Sequence, residues 1–276
     1  MSMAPRPLIV VQNNHERVSR ITGRAARAAH DIGVAVHDLS SDGRMASRPA
    51  LPAGGPWSPV LVMGSVAFVD QWARREPDLA RWVFWDDARY DAAAWADALG
   101  DRYLNSGGTA TTVGLFCASE MPPMHVRPRS GVKLIGDAIA DENTAGRRGL
   151  QGAVFAPAEL AARNVDPALP IWISPPRDIL LEMRVWMIGG EPACWSTYRV
   201  DRKPVYLVDH GRTGDALDVA RALHGVYRPD RHYVVDLALC GDGAFRLVEY
   251  NPIHSSGWYG ADPELMLRAF LDAETA

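Results

Sequence analysis

The residues whose types and spacing could do chemistry lie near the carboxy end, in Tyr233–Asn251, YVVDLALCGDGAFRLVEYN. Asp242-Gly243 between two apolar runs signals a hairpin with a type I′ turn, since both residues accept a positive φ. A two-residue turn pairs Gly241 with Ala244, and counting outward sets Asp236 opposite Glu249 and Val234 opposite Asn251. Side chains alternate along a strand, so Asp236, Glu249 and Asn251 share a face with Val234, Ala238, Phe245 and Leu247. Val235, Leu237, Leu239, Val248 and Tyr250 fall on the other face. Two facing carboxylates destabilise a bare sheet. A hard cation such as Mg²⁺ removes the repulsion and keeps coordination places for phosphate oxygens. The expectation is a Mg²⁺ site on a hairpin that carries a nucleoside triphosphate. The plainer reading is a solvated hairpin face. Both faces are largely apolar, however, which suits covered strands, and buried acids need partners.

Cations that could meet phosphates lie upstream. Arg127, Arg129 and Lys133 fall within seven residues, around two short strand-like runs, Met124–Arg127 and Val132–Ile135. Lys133 sits among apolar neighbours and either meets a ligand or snorkels from a strand edge. Glu182 and Arg184 share one face of the strand-like run Ile179–Ile188 with Leu180 and Trp186. They either bond their neighbours in the sheet or line a cleft. Beyond Gly189-Gly190, Ala193–Val200 reads as the hairpin partner and carries Ser196, Tyr198 and Arg199. The small-residue loop Pro252–Tyr259 can bring backbone close to a ligand. His254 within it reads as solvated more readily than as a substrate contact.

The elements that must position these residues divide in two. Leu8–Val11, a helical pattern over residues 16–31 stopped by Gly33, and Val34–His37 form a β-α-β opening that implies a parallel sheet with helices on its faces. Residues 42–58 hold Gly43, Pro49, Pro52, Gly54, Gly55 and Pro56 and read as loop. Val60–Met63 is a third strand, Val66–Arg75 a helix, Trp82–Trp85 a short strand, and Asp91–Tyr103 a helix capped by Asp91. Asn105-Ser106-Gly107-Gly108 marks the boundary. The expected fold is an α/β domain over residues 1–105, followed by an α+β domain over 106–276. The second domain has lobes of roughly 106–170 and 171–276 and a mostly antiparallel sheet. Its further elements are a short helix at 157–163, a strand at Ile171–Ser174, a helix at Asp215–Tyr227 and a last helix from Pro263, with Asp262 as its cap.

Composition narrows the function. The chain has 276 residues, of which 47 % are hydrophobic and 22 % charged, as in an ordinary soluble globular protein. A net charge of −4 argues against a broad nucleic-acid or anionic-membrane surface. Cys117, Cys194 and Cys240 lack CxxC spacing, which disfavours a disulfide framework or a zinc site and fits a reducing cytoplasm. The run Leu8–Val11 is too short for a signal peptide, and no stretch approaches a membrane span. No GxGxxG follows the first strand and no Walker sequence occurs, so a plain dehydrogenase is disfavoured. Oligomeric state stays open, since Trp57 and Trp72 could be interface or core.

Taken in order, these motifs resemble the ATP-grasp superfamily, and within it the clade named for two arginines and a lysine. They are H-V-R-P…K, L-L-E-M-R-V-W with its double-glycine turn, S-T-Y-R, and V-V-D-L-A…L-V-E-Y-N-P, running from Arg127 to Tyr259. The resemblance implies that ATP lies between two α+β lobes. Lys133 and Arg127 would contact its phosphates, and Glu182 and Arg184 would sit near nucleotide and phosphate. The Ile171–Ser174 segment, with Ile173 and Ser174, would lie near the adenine. Asp236, Glu249 and Asn251 would hold Mg²⁺. Arg199, with Arg184 the catalytic candidate, would meet an acyl-phosphate charge or a substrate carboxylate. The glycine-rich flexible loop of larger members is not evident after Lys133.

The chemistry so implied joins a small-molecule or peptide carboxylate to an amine through an acyl phosphate. Positioning and charge neutralisation do most of the work in such a transfer, and water must be excluded. Two alternatives remain on the same scaffold: a kinase-like phosphotransferase and a nucleotide-binding module without chemistry.

Overall fold

The computed structural model describes residues 4–12, 16–39, 55–75, 77–130, 150 and 152–275. The expected strand Val132–Ile135, and Lys133 with it, lie outside them. The run Leu8–Val11 becomes the buried centre of β1 (Arg6–Gln12). It lies between β2 (Ala35–Leu39) and β3 (Trp57–Met63) in a parallel sheet of order β2-β1-β3. Helix α1 (Glu16–Asp31) makes the β1–β2 crossover that parallel neighbours require. Helix α2 (Val66–Arg75) follows β3, and Trp72 is buried in the core beneath it.

Two expectations fail in the next segment. No strand forms at Trp82–Trp85; a 3-10 turn over Pro77–Trp82 leads into unpaired extended residues. The N–H of Phe84 is taken by a histidine ring rather than by a neighbouring strand. The helix expected to reach Tyr103 ends sooner. Helix α3 (Ala92–Leu99) starts at its Asp91 cap, whose Oδ1 accepts from the Ala93 N–H at 2.7 Å, and stops at Gly100 with φ +51°.

Two antiparallel sheets complete the chain. The smaller has β4 (Thr109–Thr112), β5 (Met124–Pro128), β6 (Ala153–Phe155) and β7 (Pro170–Ser174) in the order β4-β7-β5-β6, with short helices α4 (Val113–Cys117) and α5 (Pro157–Ala161). The larger has β8 (Ile179–Ile188), β9 (Glu191–Val200), β10 (Lys203–Leu207), β11 (His232–Cys240) and β12 (Phe245–Pro252) in the order β10-β9-β8-β11-β12. Strand β10 carries no alternation of apolar residues that would announce it. Helices α6 (Thr213–His224) and α7 (Pro263–Thr275) cover the larger sheet. Among the described residues, no helix is long and apolar enough to cross a membrane.

The larger sheet is buried on both faces. On one face Met183, Val185, Val235 and Leu237 pack with Trp95, Tyr103 and α6. On the other, Trp186, Ile188 and Val234 share a core with β1, β3 and α7. Further along that second face, toward the start of β8, apolar side chains give way to Asp236, Arg184 and Glu182.

The β11–β12 hairpin reaches the expected register by an unexpected route. Its loop has three residues, Gly241–Gly243. The Cys240 N–H donates to Ala244 O at 3.0 Å and the Gly243 N–H to Cys240 O at 2.9 Å, and Gly243 has φ +82°. That is a type I turn closed by a left-handed glycine, not a two-residue type I′ turn. The extra loop residue shifts the ladder so that Leu237 faces Leu247; a bulge at Val248 then shifts it back, and Asp236 faces Glu249 as expected. Between loop and bulge the faces are exchanged. Phe245 and Leu247 join the core with Leu237, and Val248 packs with Ala238 and Cys240.

His254 is neither solvated nor available to a substrate. Its Nδ1 lies 2.6 Å from Val62 O, and its Nε2 accepts the Phe84 N–H at 2.8 Å. Both ring nitrogens are thereby assigned to a neutral imidazole that ties the loop after β12 to β3. Burial is the main cause holding its pKa down, at about 4. The unfolded chain therefore binds this proton first, and stability falls as pH drops from the ordinary histidine range toward 4. His254→Ala is expected to lose about 2–4 kcal/mol in urea unfolding at neutral pH, because a buried carbonyl and a buried N–H lose their partner. The variant should also lose stability less steeply than the parent on acidification; a parallel decline would refute the assignment.

Candidate active site

Four strands bring the candidate side chains together. Arg127 comes from β5, Glu182 and Arg184 from β8, Asp236 from β11, and Glu249 and Asn251 from β12. The ladder sets Asp236 opposite Arg184 on one side and opposite Glu249 on the other. Arg184 Nε donates to Asp236 Oδ1 at 2.7 Å and Nη2 to Oδ2 at 2.6 Å, a fork-to-fork pair that is almost wholly buried. Asn251 Nδ2 donates at 3.1 Å to both Asp236 Oδ2 and Glu249 Oε1. Glu249 Oε2 accepts from Arg127 Nη2 at 3.0 Å. An amide thus clasps the two acids, and an arginine flanks each on its outer side.

Arg127 crosses from the smaller sheet to the larger. Its Nη1 donates to Val248 O at 2.9 Å, so the residue that the ladder skips supplies the acceptor. Its guanidinium lies 4.9 Å from the ring centre of Trp95 on α3. Arg129 turns elsewhere: its Nε bonds both oxygens of Asp91, at 3.1 and 2.8 Å, and so fastens the cap of α3.

Glu182 lies one step along β8 on the same face. Tyr198 donates its hydroxyl to Glu182 Oε2 at 2.6 Å, and Arg199 Nη1 pairs with Oε1. Burial, then the nearby Asp236 and Glu182 charges, push the Tyr198 phenol well up, so it stays a donor. Burial opposes the Arg184 charge, and the Asp236 carboxylate more than offsets it; its pKa is raised further still.

Strand β7 separates its two candidates. Ile173 is a correction: its side chain packs in the core of the smaller sheet, and its strand is paired on both sides, with Thr109 and Val126 facing it. Neither part is free to meet a base. Ser174 ends the strand, and its Oγ donates to Asn105 Oδ1 at 2.9 Å. The turn at Gly108 lies so close that an added Cβ would sit 2.2 Å from Trp172 Nε1. Two buried atoms nearby, Asn105 Nδ2 and His125 Nδ1, have no hydrogen-bond partner among the described residues. Burial, then Arg127, hold the His125 pKa down at about 4.

Several residues at the site were not singled out from the sequence. Trp95 carried only an α-helical signal, and Asn105 only a boundary signal. Arg24 on α1 reaches the loop after β12: its Nη1 donates to Tyr259 O at 2.8 Å and Nη2 to Ala261 O at 2.7 Å. No local pattern announces a contact between residues so far apart in the chain.

The family model of the ATP-grasp domain, family 3 of the clade named for two arginines and a lysine, matches residues 124–270, more than half of the chain. The chain belongs to this family. Solved ATP-grasp structures share its fold over nearly full length. D-alanine–D-alanine ligase from Bacillus anthracis matches with TM-score 0.62 at 10 % identity, covering 99 % of this chain and 98 % of that one. The ATP-grasp ligase PsnB, complexed with precursor peptide PsnA2 and AMPPNP, matches with TM-score 0.54 at 16 % identity and 99 % coverage of each chain. The RimK domain ATP-grasp protein from Sphaerobacter thermophilus gives 0.55 at 13 % identity, covering 98 % of this chain and 100 % of its own. No curated protein matches the sequence. The two antiparallel sheets are the two lobes of the ATP-grasp domain, and the parallel sheet is the α/β domain that precedes it.

The buried pair at the centre of the site makes a stability prediction. Asp236→Ala strands the Arg184 charge and is expected to cost about 3–5 kcal/mol in denaturant unfolding. Replacing both partners, as Arg184→Met with Asp236→Leu, should recover most of that loss. A double variant as unstable as the single one would show that the pair is not the governing contact.

Proposed function

We propose that the protein is an ATP-dependent carboxylate–amine ligase that works with Mg²⁺ through an acyl phosphate. The observation that carries this reading is the Asn251 amide, 3.1 Å from an oxygen of each acid, which holds Asp236 and Glu249 within reach of one ion. The donor set fits: two carboxylates and an amide oxygen are the hard ligands Mg²⁺ prefers. The Asn251 amide, whose Nδ2 faces both acids in the free chain, would turn over to present its oxygen to the ion. Among the described residues no three His, Cys, Asp or Glu side chains are grouped so as to hold a metal ion; the Asn251 amide would be the third ligand. When bound, the ion would neutralise phosphate charge and orient the triphosphate.

The chain's own residues supply the rest. Arg184 and Arg127 answer the two acids in the free chain; with a divalent ion taking that part, their forks are released toward phosphate oxygens. A substrate carboxylate oxygen attacks the γ-phosphorus as the bond to ADP breaks. The amine then attacks the acyl carbon, phosphate leaves, and the amine proton passes to solvent. Arg199 is the candidate to meet the acid or the charge that builds on it. Ser174, at the junction of the lobes, is the candidate to meet the base, and the nearby Asn105 Nδ2 and His125 Nδ1, without partners among the described residues, suit a polar ligand there. The acid and the amine would be small molecules or peptide groups, and a cytoplasmic setting would supply the ATP.

Glu249→Ala is expected to lower Mg²⁺-dependent, amine-dependent ADP release by about 100-fold or more, the scale of losing one preorganised electrostatic group. Undiminished turnover would remove the basis of this reading. ADP release that needs no amine would move the assignment to phosphotransfer.

A further inference from the structure

Beside the charged face stands a ladder of three tyrosines. Tyr198 and Tyr259 stack with ring centres 4.7 Å apart and planes 15° apart. Tyr206, on the edge strand β10, continues the stack at 6.1 Å and 29°. The ladder begins where the acids end, since the Arg184 guanidinium lies 5.1 Å from the Tyr259 ring centre. Its far end is open: Tyr206 is 67 % exposed, and Leu207 and Val208 beside it are exposed as well.

The ladder is held by parts of the chain that are far apart in sequence. Tyr259 has φ +51°, a backbone state that a bulky side chain rarely holds. Arg24 fixes it from α1 through the two carbonyls already described. The Gly260 N–H donates to Ser196 Oγ at 3.0 Å, and a Cβ on Gly260 would sit 2.9 Å from Tyr206 O. Packing does not account for this effort, because the outer rings are exposed.

A cation stands alongside. The Arg199 side chain is 48 % exposed and gives Nη1 to Glu182; its other N–H groups have no partner among the described residues. Its guanidinium is 5.9 Å from the Tyr198 ring centre. A planar cationic fork matches a carboxylate. Stacked rings match a further aromatic ring. A cationic substrate would be opposed by Arg184 and Arg199 together.

We propose that this ladder is the subsite of the acid to be activated, and that the acid carries an aryl group. At 6.1 Å Tyr206 is offset from Tyr259, which stays 36 % exposed. The aryl ring lies on the part of Tyr259 that Tyr206 leaves uncovered, beside the edge of Tyr206, and the acid's carboxylate meets Arg199. The proposal rests on the ligase reading and adds the class of acid.

The test is calorimetric titration of the full-length protein, saturated with AMPPNP and Mg²⁺, using 3-phenylpropanoate, 3-cyclohexylpropanoate and 3-phenylpropanamide. Aromatic stacking predicts about threefold or more tighter binding of the phenyl acid than of the cyclohexyl acid. Tyr206→Ala and Tyr259→Leu should each erase that preference. The charged fork predicts about tenfold weaker binding of the amide than of the acid in the parent, a difference that Arg199→Gln should remove. Equal binding of the two acids, a preference that survives both tyrosine variants, or no binding of either acid to nucleotide-loaded protein would overturn the proposal and leave the ligase reading standing. Failure to bind AMPPNP with Mg²⁺ would overturn both.

Discussion

The fork-to-fork contact between Arg184 and Asp236 is the constraint around which the rest is arranged. Both groups lie inside a sheet that is covered on both faces. Isolated charges there would cost several kcal/mol each, so each must be answered by geometry. The answer is local for Asp236, which has Arg184 across one ladder and Asn251 diagonally across the other. It is remote for Glu249, whose counter-charge, Arg127, comes from the other lobe. The lobes are thus joined by charge as well as by packing.

One sheet face carries two kinds of work because it changes character along its length. Near Ile188 and Val234 it is core, shared with β1, β3 and α7. Near Arg184 and Glu182 it is polar and paired. No loop separates the two zones, so the charged side chains stand on strands whose far ends are locked in packed hydrocarbon. Rigid placement of this kind is what the proposed phosphoryl transfer would require.

Much of this was legible in the sequence, because it rests on period and punctuation. The LIVV run, the Asp91 cap and the double-glycine turn follow from local rules, whereas the facing of Asp236 with Glu249 agrees with the expectation only because the longer loop and the bulge at Val248 cancel. What was not legible depends on contacts between distant segments. His254 reads as a loop residue until Val62 and Phe84 enclose it. Trp82–Trp85 reads as a strand until its N–H finds an imidazole. Ile173 reads as a ligand contact until β4 and β5 enclose its strand. Arg24 falls within a helical pattern, and nothing beside it in the sequence announces that it holds a loop at the opposite end of the chain. Strand β10 is short, lies at an edge and is mostly exposed, so it lacks the alternation that marks half-buried strands.

The hairpin that bears the acids contains two departures from regularity that cancel. One residue more in the Gly241–Gly243 loop and one more at Val248 return Glu249 to its place facing Asp236. The loop tip and the bulge are therefore the two places where the hairpin can change length without moving the acids. A residue trimmed from the tip leaves Leu237 facing Leu247 and Asp236 facing Glu249; so does loss of the residue at 248, although that also removes the carbonyl that Arg127 uses.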